Sequence, residues 1–535
     1  MTCEWRKLFH TVFLASISLS LADESSAQAP QRGGTIVFGT AADPGAMDPG
    51  FSSAATAWTV FDTIYNGLVE KDKTSDAPSP PIVNALAESY EVSSDGLTYT
   101  FRLRQGVKFH DGTPFDAEAV DFNIRRWRDQ DFEHYDDVAA GHTNVLMQFV
   151  KDARVVDAFT YEIVLNEPFG GFIDLLASHA YFYFASPGVI EAHGAAGLAE
   201  HPGGTGPFKV AEYVRNQRIV LERNDEYWDE PAYLDRLIFR VIPDASTRVA
   251  ALLSDEIDIA MELPPDSIET IEANPDLEVA LRGKPHNFTL LPNFREPPFS
   301  DVRVREAVSK AIDREAITEQ ILRGAAQPGT QFYGIGNPGF DDSLTEPQDT
   351  RDVAAAKQLL ADAGYPDGFE TRMLCTPSGS GVPATDQIME FIQSNLAEVG
   401  IKVDLELMEW VSYLAVWNKG IPEGENIGAW CMAVGTDTAY ILDMYGHSRN
   451  HPPTGWSTGW YSNPKVDELL DQANLASSAE EYWRLHREAQ EIVMDDYGYI
   501  VVTHDLGPYG VNKRVQGWQP SRSASQDVSR TWVEE

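Results

Sequence analysis

Residues Asp95 to Trp127 change hydrophobic period partway along, and that change restricts the fold more than any other stretch of the chain. Leu97, Tyr99, Phe101 and Leu103 fall on one side of an extended segment, with Thr98, Thr100, Arg102 and Arg104 on the other. Strand side chains alternate between faces, so the spacing predicts a half-buried antiparallel strand. Asp95-Gly96 and Asp111-Gly112 punctuate it as hairpin turns would. Asp116 is placed to cap a helix, with Glu118 in its first turn near the positive end of the dipole. Val120, Ile124 and Trp127 follow at i, i+4 and i+7 and give that helix an apolar stripe. These residues specify a hairpin and a helix. They specify no function.

At 535 residues the chain exceeds what one hydrophobic core usually serves, so two or more lobes are expected. Its 43% hydrophobic and 23% charged residues are ordinary globular composition. A formal charge of −41 argues against nucleic-acid phosphates as partners and against adsorption to anionic membranes. It suits either cationic ligands or a well-solvated surface that keeps a monomer soluble.

The N-terminus predicts the compartment. Arg6 and Lys7 precede an apolar run, Leu8 to Leu21, that is short for a membrane span. Ser25-Ser26-Ala27 and Ala27-Gln28-Ala29 are candidate cleavage sites, and Pro30 disfavours the second. Residues 1–27 therefore read as a secretory signal peptide. Cys3 lies before the apolar run and no lipobox cysteine follows it, so the expected location is periplasmic without a lipid anchor. Cys375 and Cys431 then remain in an oxidising compartment, either bridged across about 55 residues or as two buried free thiols.

Further along, Thr35 to Thr40, Tyr161 to Leu165, Arg218 to Glu222 and Leu237 to Ile242 read as strands. The cluster His201 to Pro207 marks a boundary and lacks the Lys-Ser/Thr of a phosphate-binding loop. Asp301 opens a helix expected to close at Gly324, and a second runs from Asp352 to Ala363 with Gly364 at its left-handed cap. Ile388, Phe391, Ile392, Leu396 and Val399 stripe a third helix, after which Ile401, Val403, Leu405 and Leu407 alternate along a strand. Ser462-Asn463-Pro464 is a helix start.

Six short motifs occur in one order: Arg32-Gly33-Gly34-Thr35 before Ile36-Val37-Phe38-Gly39; Leu86-Ala87-Glu88-Ser89-Tyr90; the Asp95–Trp127 run; Gly204-Thr205-Gly206-Pro207-Phe208; Leu221-Glu222-Arg223-Asn224 with Tyr227-Trp228; and Val304-Arg305-Glu306-Ala307 with Ala311-Ile312-Asp313-Arg314. Together they resemble the family 5 extracellular solute-binding proteins, the dipeptide, oligopeptide and nickel binders that serve ABC importers. The likeness covers nearly the whole mature chain. It implies an α/β fold of the two-lobed periplasmic binding protein type (type II, Venus-flytrap) with an additional subdomain in the first lobe. By this resemblance residues 28–285 form the first part of lobe I, with the subdomain at about 51–180. Residues 286–500 form lobe II, and 501–535 return to lobe I. Phe288 to Pro292 and Tyr499 to Thr503 are the implied crossings. The implied function is capture of peptides or a related small solute between the lobes and delivery to permease subunits at the inner membrane. That function needs no cofactor and no catalysis. Within the family a nickel chelate, opine or sugar is an alternative cargo. Outside it, a secreted hydrolase is the alternative class.

The residues bear on those choices. There is no H-E-x-x-H or C-x-x-C. His447 and His451 stand at i, i+4, but Ser448-Arg449-Asn450 and Pro452-Pro453 predict a loop with two solvated histidines rather than a metal site. Peptide binding needs partners for a terminal ammonium and carboxylate, plus aromatic walls for varied side chains. In dipeptide-binding relatives an arginine in the loop after a second-lobe strand takes the carboxylate. The matching loop here, Thr376 to Gly381 with Ser378 and Gly379, has none. An aspartate in a GDPD-like loop takes the ammonium, and here Gly435-Thr436-Asp437-Thr438 displaces the acid and lacks the proline. Thr436 and Asp437 are the candidates left for that end. Trp410, Trp430 and Trp456 are the candidate aromatic walls, with Trp456 in a polar glycine-rich turn and least suited to a core. Ala42, Asp43 and Pro44 follow the first strand and line the cleft by resemblance, while Asp43 equally suits a turn cap.

Overall fold

The structure is a computed structural model that describes residues 30–51, 55–178, 182–201, 203–377, 382–435, 437–453, 455–523 and 526–534. The segment read as a signal peptide lies outside them. Two large sheets and a smaller one carry the fold. The first orders seven strands as Leu277–Ala280, Tyr509–Asn512, Ile259–Ala260, Thr35–Thr40, Arg236–Val241, Arg218–Arg223 and Phe208–Val214. Thr35–Thr40 is its middle strand, parallel to Arg236–Val241, and buries Ile36 and Phe38 completely. The second orders six strands as Ala326–Pro328, Ile500–Asp505, His286–Pro292, Ile427–Gly435, Phe369–Cys375 and Ile401–Leu407. Helices over these sheets make two α/β lobes.

The smaller sheet holds Ala87–Val92, Thr98–Leu103, Thr160–Leu165 and Val150–Asp157, all antiparallel. Tyr99, Phe101 and Leu103 bury their side chains against Val120, Ile124 and Trp127 of the helix Ala117–Arg128, as the change of period predicts. Asp116 caps that helix by accepting from the Ala119 N–H at 3.1 Å. Gly96, at φ +71°, makes the turn that joins the first two strands, where a side chain would be strained.

Helix ends in the second lobe follow the same local chemistry. Asp352 caps Val353–Asp362 through the Ala355 N–H at 2.8 Å, and Gly364 takes φ +95° just beyond. The helix expected between Asp301 and Gly324 is instead broken. Val302–Ala311 ends at Ile312, and Asp313 starts a new helical segment by accepting from the Ala316 N–H at 3.0 Å. Apolar residues continue through the break, so periodicity alone hid a second N-cap.

The lobes are joined by one antiparallel ribbon. Leu277 to Ala280 pairs with Tyr509 to Asn512 in the first sheet, and Asn287 to Leu290 pairs with Ile500 to His504 in the second. Between them the Arg282 N–H donates to Leu506 O at 2.9 Å and the Lys284 N–H to Asp505 O at 3.2 Å. Main-chain bonds thus continue from sheet to sheet, with a bulge opposite Phe288 and Thr289 in the second. At the crossing the Asp505 carboxylate is buried, 2.8 Å from Lys284 Nζ and 3.2 Å from His286 Nδ1. Burial would raise this carboxyl, but Lys284 and the His286 hydrogen bond outweigh it and hold it well below the usual carboxylate range.

Cys375 and Cys431 occupy neighbouring parallel strands, where Leu374 lies opposite Trp430. They are joined as a disulfide with Cα atoms 5.0 Å apart, across a sequence separation of 56. A cross-link of that span removes about 4 kcal/mol of chain entropy from the unfolded state. Replacing both cysteines by serine is expected to lower the unfolding free energy by about 2–4 kcal/mol in non-reducing urea titrations. An unchanged midpoint would contradict a staple at this position.

Three buried imidazoles set the acid response. Burial pushes His486 down to about 3 and His504 and His110 down to about 4. Each is neutral when folded and binds a proton below about 6.5 when unfolded, so stability falls as pH drops from about 6.5 towards those values. Asp505 has the depressed pKa of a paired carboxylate, so its contribution persists through this window and is lost only at lower pH. The unfolding free energy should therefore decline between pH 6.5 and 4 by about 1.4 kcal/mol per pH unit for each imidazole. His504→Gln should remove about one proton from that slope. A flat profile over the window would refute this account.

Candidate ligand-binding site

Ile427–Gly435 is the strand from which the candidate site is built. Every residue from Ile427 to Val434 is buried, so its two faces meet different layers. Ala429, Cys431 and Ala433 point to the core that holds Cys375, while Trp430, Met432 and Val434 point to the other side. There the helix Trp410–Trp417 lies against it. Tyr413 donates its hydroxyl to Cys431 O at 2.5 Å, which fixes the helix to the strand. Burial raises the Tyr413 phenol well above its usual range, so it remains a donor.

Aromatic rings cover this face. Trp430 meets Tyr413 and Trp417 with centroids 5.5 Å away in each case. Trp417 reaches Tyr445 at 6.4 Å, and Tyr445 reaches Trp456 at 5.8 Å. Trp410 stacks on Tyr413 at 6.3 Å. Trp410, Trp430 and Trp456 are thus linked by one continuous chain of ring contacts. Their exposures differ: Trp430 is fully buried, Trp410 is half-buried, and Trp456 is 43% exposed.

Polar atoms along the same part of the second lobe lack partners. Among the described residues, the buried Trp430 Nε1, Asp437 Oδ2, Ser457 Oγ and Thr458 Oγ1 make no hydrogen bond. Buried polar groups are nearly always satisfied, so each such atom calls for a reason. Asp437 stands just beyond the end of the Trp430 strand with 8% of its surface exposed. A buried carboxylate with an open oxygen beside aromatic rings can accept an ammonium.

The other end of the site comes from residues with no sequence signal. Lys71, in the strand Val69–Lys71, pairs with Asp174 of the helix Phe172–Ser178 at 3.4 Å, both buried. Lys71 Nζ and Ser178 Oγ each donate to the Asp437 main-chain carbonyl at 3.2 Å. Those contacts cross between lobes over sequence separations of 366 and 259. Beside them Phe149 and Phe169 stack at 4.3 Å, and Tyr440 sets its edge on the pair at 5.5 and 6.1 Å.

Ala42, Asp43 and Pro44 form a loop that packs on the first lobe. Asp43 Oδ1 accepts from the Gly45 N–H and the Tyr213 hydroxyl, and Oδ2 accepts from the Asn216 N–H at 2.7 Å. Its carboxylate therefore caps a turn and ties it to a neighbouring hairpin. Ala42 O accepts from Thr40 Oγ1, Ala42 is exposed, and Pro44 is buried. Ser378, Gly379 and Thr436 lie outside the described residues. His447 sits between Asp467 and Asp471, and His451 Nε2 contacts Tyr461 O at 2.7 Å. A cavity of about 210 Å³ lined by Asp62, Asn66, Glu70, Lys71, Lys73 and Tyr227 among others draws all its walls from the first lobe. It touches the interlobe contact through Lys71, whose Nζ donates to Asp437 O. Among the described residues no helix is long and apolar enough to cross a membrane.

The profile of the bacterial extracellular solute-binding proteins, family 5 Middle, matches residues 81–452. The glutathione-binding protein GsiB of Salmonella typhimurium is 31% identical over 490 residues, 90% of this chain and 91% of that protein. Two solved structures share the fold at 26% identity. HbpA2 from Haemophilus parasuis superposes with a TM-score of 0.82 over 94% of this chain and 100% of its own. The ABC transporter-associated periplasmic binding protein DppA from Helicobacter pylori, in complex with the peptide STSA, does so at 0.76 over 94% and 99%. With a two-lobed α/β fold and a profile match over most of its length, the chain belongs to the bacterial extracellular solute-binding proteins of family 5.

Proposed function

We propose that this chain is the periplasmic substrate-binding component of an ABC importer. It captures a short peptide or a related amine-bearing solute between its lobes and passes it unchanged to the permease. The observation that carries this reading is the open Oδ2 of the buried Asp437, just past the end of the Trp430 strand and held at the interlobe junction through its main chain. A carboxylate taken out of water is stable only with a cationic partner or hydrogen bonds, and a ligand ammonium supplies both. The aromatic rings from Trp410 to Trp456 then accept the apolar part of the solute without demanding one shape. The glutathione-binding and peptide-bound relatives both have ligands with a free amine and a peptide backbone, which supports the same chemistry.

In this reading residues 28–285 form the first lobe together with the C-terminal residues, and 286–500 the second; the return falls after Asp505 rather than at 501, because Ile500–Asp505 pairs in the second sheet. Residues 1–27 are the cleaved export signal. The protein works as a monomer, without a cofactor and without turnover. Ser378, Gly379 and Thr436 contact the solute from the two loops that leave the central strands. With no arginine between Thr376 and Gly381, the solute carboxylate is met by main-chain groups and hydroxyls, including Ser457 and Thr458.

Calorimetry with trialanine and N-acetyl-trialanine tests the assignment. A charge-assisted bond is worth about 1.5–3 kcal/mol, so blocking the amine should weaken binding by about 10- to 150-fold. Asp437→Asn should weaken trialanine to a similar degree and leave the acetylated peptide nearly unaffected. Mass spectrometry after incubation should return the peptide intact. Equal affinity for the two peptides, or cleavage of either, would overturn the reading.

A further inference from the structure

The Asp437 segment is gripped from the opposite lobe by its backbone. Its carbonyl oxygen accepts from Lys71 Nζ at 3.2 Å and takes the weaker arm, also 3.2 Å, of the single Ser178 hydroxyl proton that is shared with Asp174 O. Asp174 holds both donors in place. Its carboxylate pairs with Lys71 at 3.4 Å, and its own main-chain carbonyl accepts from Ser178 Oγ at 2.5 Å. Neither contact uses the Asp437 side chain, whose Oδ2 stays open. The grip and the ligand-seeking group are therefore two parts of one residue with separate partners.

Surrounding packing brings the two lobes into close contact beside this grip. Gly170 and Gly171 precede the Phe172–Ser178 helix and lie against the second lobe. The Gly170 N–H donates to Asn474 O at 3.2 Å. A Cβ on Gly170 would stand 2.9 Å from Ala476 O, and one on Gly171 would stand 2.9 Å from the Tyr482 ring and 3.0 Å from Ala439. Only glycine admits this approach. On separation of the lobes, Lys71, Asp174 and Ser178 would return to water, where their pairing is worth little. On closure the ion pair is desolvated, and the Asp437 carbonyl helps to offset that loss.

We propose that Lys71 and Ser178, backed by Asp174, form a closure latch that seizes the Asp437 main chain and so positions its carboxylate for the solute. The proposal rests on the functional reading above for what the carboxylate binds, but the latch itself is defined without ligand. Lys71 is a positioning residue. It acts on the solute through the Asp437 segment and through the balance between open and closed lobes.

The test compares Lys71→Met, Ser178→Ala, the double variant and Asp437→Asn with the unaltered protein. Fluorescence transfer between dyes on the two lobes reads closure in the ligand-free protein, and stopped-flow with trialanine reads release. The double variant should shift the ligand-free protein towards open lobes and speed release by about tenfold or more, with association changed by less than threefold. Asp437→Asn should leave the ligand-free closure unchanged and lose amine selectivity. Lys71→Arg, which keeps a charged donor, should restore most of the closure lost in Lys71→Met. Gly170→Val, as a steric wedge, should mimic the open bias with the latch residues intact. Ligand-free closure and release both unchanged in the double variant would overturn the proposal, whatever Asp437→Asn does. Should Lys71→Met fail to fold, Ser178→Ala and Gly170→Val carry the same comparison. If trialanine binds none of the proteins, the functional reading fails while the ligand-free measurement still decides the latch.

Discussion

The Lys284–Asp505 pair at the crossing of the two connecting strands is the contact on which the rest of the structure depends. Two α/β lobes are connected along the chain by a ribbon whose main-chain pairing runs from Leu277 opposite Asn512 to Leu290 opposite Ile500. A ribbon of two paired strands can twist and bend, but it cannot slide, because a slip of one residue would turn every side chain to the wrong face. Asp505 reinforces that register. Buried with Lys284 and His286, it would be left as an uncompensated charge by any shift of one strand past the other. Relative motion of the lobes is thereby reduced to a rotation about this crossing.

That restriction gives the site its mechanics. His286–Pro292 leads out of the ribbon and pairs directly with Ile427–Gly435, with His286 opposite Gly435 and Pro292 opposite Ala429. The strand that carries Trp430 and ends beside Asp437 thus moves as a rigid extension of the ribbon. The Cys375–Cys431 bridge and the Tyr413 hydroxyl on Cys431 O stiffen it further. A rotation at the crossing carries the Asp437 segment to or from Lys71 and Ser178 as one body. Solute capture and lobe closure are coupled because a ligand gripped by both lobes stabilises only the closed state.

Much of this framework was legible in the sequence, and the exceptions share a cause. The alternation at Leu97 to Leu103, the caps at Asp116 and Asp352, and the left-handed Gly364 are all local events, decided by residues within a few positions of each other. The break at Ile312–Asp313 was missed because its local signal, a second capping aspartate, lay inside an unbroken apolar pattern. Trp456 could be separated from core tryptophans by its polar, glycine-rich neighbours. Trp430 could not be, since its strand buries both faces. Asp43 suits a turn cap and a cleft wall equally in sequence, and its partners Tyr213 and Asn216 lie far along the chain. Lys71, Asp174 and Ser178 had no reading at all. A lysine in a three-residue strand and a serine at a helix end are unremarkable until folding brings Asp437 to them.

Native mass spectrometry of the protein taken from its own periplasm tests the central claim most directly, because it asks what occupies the junction. The account predicts one adduct per chain that is released on denaturation and identified as short peptides or another solute with a free amine. Asp437→Asn should strip that adduct while leaving the mass of the chain otherwise unaltered. An adduct without an amine, retained equally by Asp437→Asn, would contradict the account.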